Sequence, residues 1–83
     1  MMNIVLPASA WEDIDASTEA LLDRWLVQEG EVVEKGQALA SAVLIKSTLD
    51  IESPAAGRLR RILVGPGERF LRGQALAELE VSP

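Results

Sequence analysis

The chain contains no cysteine and no histidine. Without cysteine, neither disulfides nor thiolate metal sites can hold it together. Without histidine, it lacks the commonest general base, the usual metal ligand and every serine–histidine or cysteine–histidine nucleophile pair. Aromatics are scarce as well: two tryptophans and one phenylalanine. Basic residues number 8 against 13 acidic ones, a net charge of −5. That sign opposes nucleic acid, whose binding depends on neutralising phosphates. No apolar run approaches the roughly 20 residues of a membrane span. The opening Met1-Met2-Asn3-Ile4-Val5 lacks the charged and apolar regions of a signal peptide. These absences lead us to expect a soluble, cytoplasmic protein that is not itself an enzyme.

What is present fits one domain, residues 1–83. A chain of this size buries only about 60–65% of the surface its unfolded form exposes, so the core is modest. An apolar content of 48%, mostly branched aliphatics, still indicates a packed fold rather than disorder.

The strongest internal signal is a repeat. Residues 22–40, LDRWLVQEGEVVEKGQALA, realign on residues 59–77, LRRILVGPGERFLRGQALA, with 11 of 19 positions identical, among them Gly30/Gly67 and Gly36/Gly73. Self-similarity at a fixed offset implies one structural unit used twice, and two copies are too few for a solenoid. A pseudo-twofold domain is expected. The repeat pairs Leu26 with Leu63 and Leu39 with Leu76, and each of these leucines is expected to face one shared core.

Asn3-Ile4-Val5-Leu6 reads as a short strand stopped by Pro7. Residues 8–19 are small, polar and acidic apart from Trp11 and Ile14, a long loop with room for one helical turn. Residues 20–28 could be helix or strand from their own spacing. Their counterpart, Gly57 to Val64, is confined between Pro54 and Pro66 and begins with glycine, which favours a strand. Glu29-Gly30, Lys35-Gly36, Pro66-Gly67 and Arg72-Gly73 are turn signals that call for positive φ. The segment from Ala75 to Glu80 alternates and closes the chain as a strand. Short strands with frequent turns predict an all-β sandwich or flattened barrel.

Between the two copies lies a single lysine. Residues 37–43 upstream are small and apolar, and Leu49-Asp50-Ile51-Glu52 downstream alternates with period two. A reversal between these runs places Lys46 at or near a hairpin tip. The alternative for such a lysine is an ordinary solvated turn residue. Asp50 and Glu52 read as a solvated sheet face, and Trp11 and Trp25 as packing anchors. The carboxylate pair Glu12/Asp13 has nothing else of an active site beside it.

The run from Trp25 to Ala40, the lysine eight residues before Pro54, Gly57 and the closing Gly67-Glu68…Gly73-Gln74-Ala75-Leu76-Ala77 resemble the biotinyl/lipoyl attachment domain family. The resemblance covers nearly the whole chain. It implies two four-stranded antiparallel sheets packed as a flattened barrel, with Lys46 at a hairpin tip for covalent lipoyl or biotinyl attachment by a lipoate or biotin protein ligase. Ile4-Val5-Leu6-Pro7, Glu19-Ala20, Trp25-Leu26 and residues 47–54 resemble the lipoyl branch more. The immediate flanks depart from both branches. Lipoyl domains usually carry Glu three residues before the lysine and Asp just before it, where this chain has Val43 and Ile45. Biotinyl domains usually flank the lysine with Met, where this chain has Ile45 and Ser47. Residues 8–19 are also a few positions longer than in typical lipoyl domains.

The resemblance therefore implies a non-catalytic carrier in which lipoate on Lys46 serves as a swinging arm for acyl transfer. Its partners would be the dehydrogenase and acyltransferase subunits of a 2-oxo-acid dehydrogenase-type complex. The alternatives are a biotin carboxyl carrier and an unmodified structural or docking domain of the same fold.

Overall fold

Eight strands lie among the described residues, and their order repeats with the sequence. The computed structural model describes residues 1–81. The strands are β1 (Met2–Ile4), β2 (Ala20–Trp25), β3 (Val32–Val33), β4 (Ala38–Leu44), β5 (Ser47–Glu52), β6 (Gly57–Ile62), β7 (Arg69–Phe70) and β8 (Ala77–Val81). One sheet has the order β1-β8-β6-β3 and the other β5-β4-β2-β7, all neighbours antiparallel. The two face-to-face sheets are the expected all-β sandwich. Adding 37 to the numbers of β2, β3 and β4 lands on β6, β7 and β8, so each copy contributes to both sheets and the offset exchanges one sheet for the other.

The long loop after β1 carries one 3₁₀ turn, Ala8–Trp11. Strand β1 stops at Ile4, before the expected Leu6, and β2 stops at Trp25 rather than running to Gln28. The ambiguous stretch is a strand, as its counterpart indicated.

Equivalent positions share their burial. Leu22 and Leu59, Val27 and Val64, Val33 and Phe70, Leu39 and Leu76, and Ala40 and Ala77 all lie in one buried cluster. The halves also interlock through their backbones. The Gly30 N–H donates to the Leu59 carbonyl at 2.7 Å, and Gly67 N–H to the Leu22 carbonyl at 2.7 Å. Leu22 N–H donates to the Glu68 carbonyl at 2.8 Å, and Leu59 N–H to the Glu31 carbonyl at 2.9 Å. Each half thus closes turns of the other, and neither can be ordered alone without losing backbone partners.

One expectation fails. Leu26 is 51% exposed and Leu63 43% exposed, so this pair does not face the core, whereas Leu39 and Leu76 are fully buried. The cause is a bulge. Register shifts between Leu22 and Arg24 in β2, and at the same place between Leu59 and Arg61 in β6. An extra residue at each point reverses the in–out alternation. Trp25 and Val27, not Leu26, therefore turn inward after the bulge, and Ile62 and Val64 do the same in the other half.

Glycine is required for two different reasons, one in the turns and one in a strand. Gly30, Gly36, Gly67 and Gly73 have φ between 78° and 93°, as expected. Gly57 is needed for a different reason, because a Cβ there would collide with the backbone carbonyl of Glu80 on the paired strand β8.

Candidate functional site

Lys46 sits where β4 reverses into β5. The two strands pair from Ala38↔Glu52 to Leu44↔Ser47, which leaves Ile45 and Lys46 as a two-residue turn. The turn stands on a firm base. Strand β4 lies between β5 and β2, and Leu39, Ala40, Ser41, Ala42 and Leu44 are buried. Leu44 is buried directly before the turn, while Ile45, Lys46 and Ser47 are exposed. Asp50 and Glu52 point outward and Ile51 inward, which is the expected alternation of β5.

Among the described residues, Lys46 makes no ion pair. The three ion pairs among the described residues are Arg24–Asp23, Arg60–Glu80 and Arg69–Glu19. An exposed amine on a rigid stalk fits covalent attachment of an acyl group. No group of three or more acidic residues among the described residues is placed to hold a metal ion.

The residue before the lysine is unusual. Ile45 has φ +60°, a left-handed conformation that β-branched side chains rarely adopt. Of the two central turn residues only the first has positive φ, a place where glycine is favoured. Ile45 nevertheless carries a large apolar side chain that is 62% exposed.

The long loop between β1 and β2 comes down beside this hairpin, which the sequence did not indicate. Trp11 is buried, its ring edge-to-face with Phe70 at 6.2 Å between centroids. The Arg72 Nη2 donates to the carbonyls of Trp11 at 2.7 Å and Ile14 at 2.8 Å, and the guanidinium lies 5.9 Å from the Trp11 ring centroid. Lys35, the counterpart of Arg72, has no such loop to hold. The only hint in the sequence was the extra length of residues 8–19. Trp25 is the second anchor: its Nε1 donates to the Val64 carbonyl at 2.8 Å, joining the halves.

Comparison with known proteins decides the family. The Biotin_lipoyl family model, described as "Biotin-requiring enzyme", matches residues 13–81. The chain belongs to the biotinyl/lipoyl attachment family. Among curated relatives, this biotinyl/lipoyl domain is 40% identical over 63 residues to the lipoamide acyltransferase component of the branched-chain alpha-keto acid dehydrogenase complex of Pseudomonas aeruginosa. That match covers 76% of this chain and 15% of the relative. The domain is 33% identical over 63 residues to the dihydrolipoyllysine-residue succinyltransferase component of the 2-oxoglutarate dehydrogenase complex of Staphylococcus saprophyticus, with the same coverage of 76% and 15%. It therefore spans about 15% of the length of these relatives. Its fold matches the solution structure of the lipoyl domain of the 2-oxoglutarate dehydrogenase complex from Azotobacter vinelandii. That match has a TM-score of 0.73 at 20% identity and covers 95% of this chain and 99% of the other. No helix among the described residues is long and apolar enough to cross a membrane.

Proposed function

We propose that this domain is a lipoate carrier, with Lys46 as the attachment residue, serving acyl transfer in a 2-oxo-acid dehydrogenase-type complex. The observation that carries the reading is the lysine itself, exposed in a two-residue turn closed by Leu44 and Ser47 above a buried β4. The relatives, which are acyltransferase components of such complexes, support lipoate over biotin.

The residues of the domain position and do not catalyse. The Lys46 ε-amine, deprotonated in a ligase site, forms an amide with the lipoyl carbonyl of an activated lipoyl adenylate as the acyl–phosphate bond breaks, releasing AMP and the amine's remaining extra proton. The amide removes the lysine's positive charge. Lipoate, once bound, supplies the dithiolane that takes up an acyl group with two electrons from a dehydrogenase subunit. The stiff β4–β5 hairpin sets the anchor point of the arm, and tether length sets its effective concentration at each partner. One observation favours the biotin alternative: Ile45 is apolar, as the Met flanks of biotinyl domains are.

Reductive acylation tests the reading. The lipoylated domain is offered separately to the pyruvate, 2-oxoglutarate and branched-chain dehydrogenase components with their 2-oxo acids, and acyl transfer is read by mass. At least one component should acylate it with kcat/KM far above that for free lipoamide. Rates no better than free lipoamide with all three would reject the reading.

A further inference from the structure

A groove of about 250 Å³ opens beside the turn, and Lys46 itself forms part of its rim. Its other walls are Ala10 and Ile14 from the long loop and Leu44, Ile45, Ser47 and Leu49 from the hairpin. The lining is therefore mostly aliphatic, with Ser47 its one uncharged polar residue, and it adjoins an exposed cationic residue at the hairpin tip. Ala10, Ile14 and Leu49 are half-buried against the core, so they are fixed in place rather than loose on the surface.

Two features show that the groove is built and not incidental. The loop wall is clamped: Arg72 holds the carbonyls of Trp11 and Ile14, and Trp11 is locked against Phe70. The opposite wall is Ile45, which keeps an exposed aliphatic side chain in a left-handed conformation where glycine would be unstrained. A strained residue with no burial to recompense it points to a use for its side chain.

We propose that the groove seats the apolar end of the arm carried on Lys46, so that the dithiolane and its methylenes rest between Ile14, Ile45 and Leu49 when no partner is engaged. The inference rests on the carrier reading above. The occupant follows from attachment, because a group joined to the rim of an apolar groove meets it at high effective concentration. Size agrees: an apolar cavity of about 150 Å³ accepts benzene, so this groove has room for a five-membered ring with part of its chain. Amide formation removes the lysine's charge, the one strongly hydrated group on the rim. The arm then alternates between a seated and a free state, and a partner draws from the free one.

The test uses the domain fully lipoylated at Lys46, as verified by intact mass and peptide mapping. With ¹³C-labelled protein and an unlabelled arm, filtered nuclear Overhauser contacts from the arm should reach the methyls of Ala10, Ile14 and Leu49. Ile14→Asp should abolish these contacts and speed reduction of the dithiolane by a phosphine at least threefold. Val32→Asp, an exposed apolar site on the other sheet, should change neither, and an unaltered amide spectrum outside the loop shows that each variant is folded. Leu49→Asn serves in place of Ile14→Asp if that variant unfolds. Failure to acquire lipoate at Lys46 would overturn the carrier reading and this inference with it. Full modification with arm contacts confined to Ile45 and Ser47, or with none, would overturn the seating alone.

Discussion

Leu22 and Leu59 hold equivalent places in the two halves, and each is bonded through its backbone N–H and C=O to a turn of the opposite half. Side chains obey the same offset. The Glu31 carboxylate accepts from the Gln28 N–H, and Glu68 accepts from the Gly65 N–H. Gln37 accepts from the Glu34 N–H, and Gln74 accepts from the Leu71 N–H, both at 3.0 Å. The repeat is thus a set of reciprocal hydrogen bonds, and one cooperative unit is the expected consequence.

Stability should follow that unit. Leu39→Ala and Leu76→Ala should each cost about 2–5 kcal/mol, a large share of a domain's total. Leu26→Ala and Leu63→Ala, turned outward by the bulges, should each stay within about 0.5 kcal/mol. Urea unfolding followed by tryptophan fluorescence and by circular dichroism checks both, and the two probes should give one transition.

Relieving the turn should stabilise the protein. A left-handed conformation costs a non-glycine residue about 1–2 kcal/mol, and glycine's extra entropy returns about 0.5–1 kcal/mol of that. Ile45→Gly should therefore raise stability by about 0.5–1 kcal/mol, seen as a higher urea midpoint at unchanged slope. A lower midpoint would mean that Ile45 stabilises the turn it occupies.

Arg72 should matter more than its counterpart Lys35. Arg72→Ala removes two hydrogen bonds to carbonyls and a contact with the Trp11 ring, worth together about 1–3 kcal/mol. Hydrogen exchange should accelerate at residues 10–14 and leave β4 and β5 protected. Lys35→Ala should leave both regions unchanged.

A pH effect is expected in the same loop. Hydrogen bonds from the Ser17 N–H and hydroxyl hold the Asp15 carboxyl below its ordinary value. A lowered folded value means that the bonds are fully present above the ordinary carboxylate value and lost as pH falls through the lowered one. The Ser17 amide resonance should follow that titration, and Asp15→Asn should remove it.

How much of this was legible depended on periodicity and composition. The repeat in residues 22–40 and 59–77 revealed the pseudo-twofold, and its second copy, bounded by Pro54 and Pro66, resolved a stretch whose own spacing was ambiguous. The run from Val43 to Glu52 placed Lys46 at a hairpin tip because apolar and alternating segments met there. The facing of Leu26 and Leu63 was misread because a bulge inserts one residue without any mark in composition, here between ordinary residues such as Asp23 and Arg60. The approach of Trp11 and Ile14 to the hairpin was invisible, since it depends on Arg72 and Phe70 from the far end of the chain. Local sequence carries no record of such long-range packing. The left-handed φ of Ile45 runs against the preference of its own residue type, so no reading of propensity would have assigned it.

The most direct test of the central claim is the site of modification. The domain is co-expressed with a lipoate ligase and, separately, with a biotin ligase, then analysed by intact mass and peptide mapping. The account predicts one lipoyl group, on Lys46 and not on Lys35, and none in Lys46→Ala. Lipoylation of Lys35, modification that survives Lys46→Ala, or biotin in place of lipoate on Lys46 would contradict it.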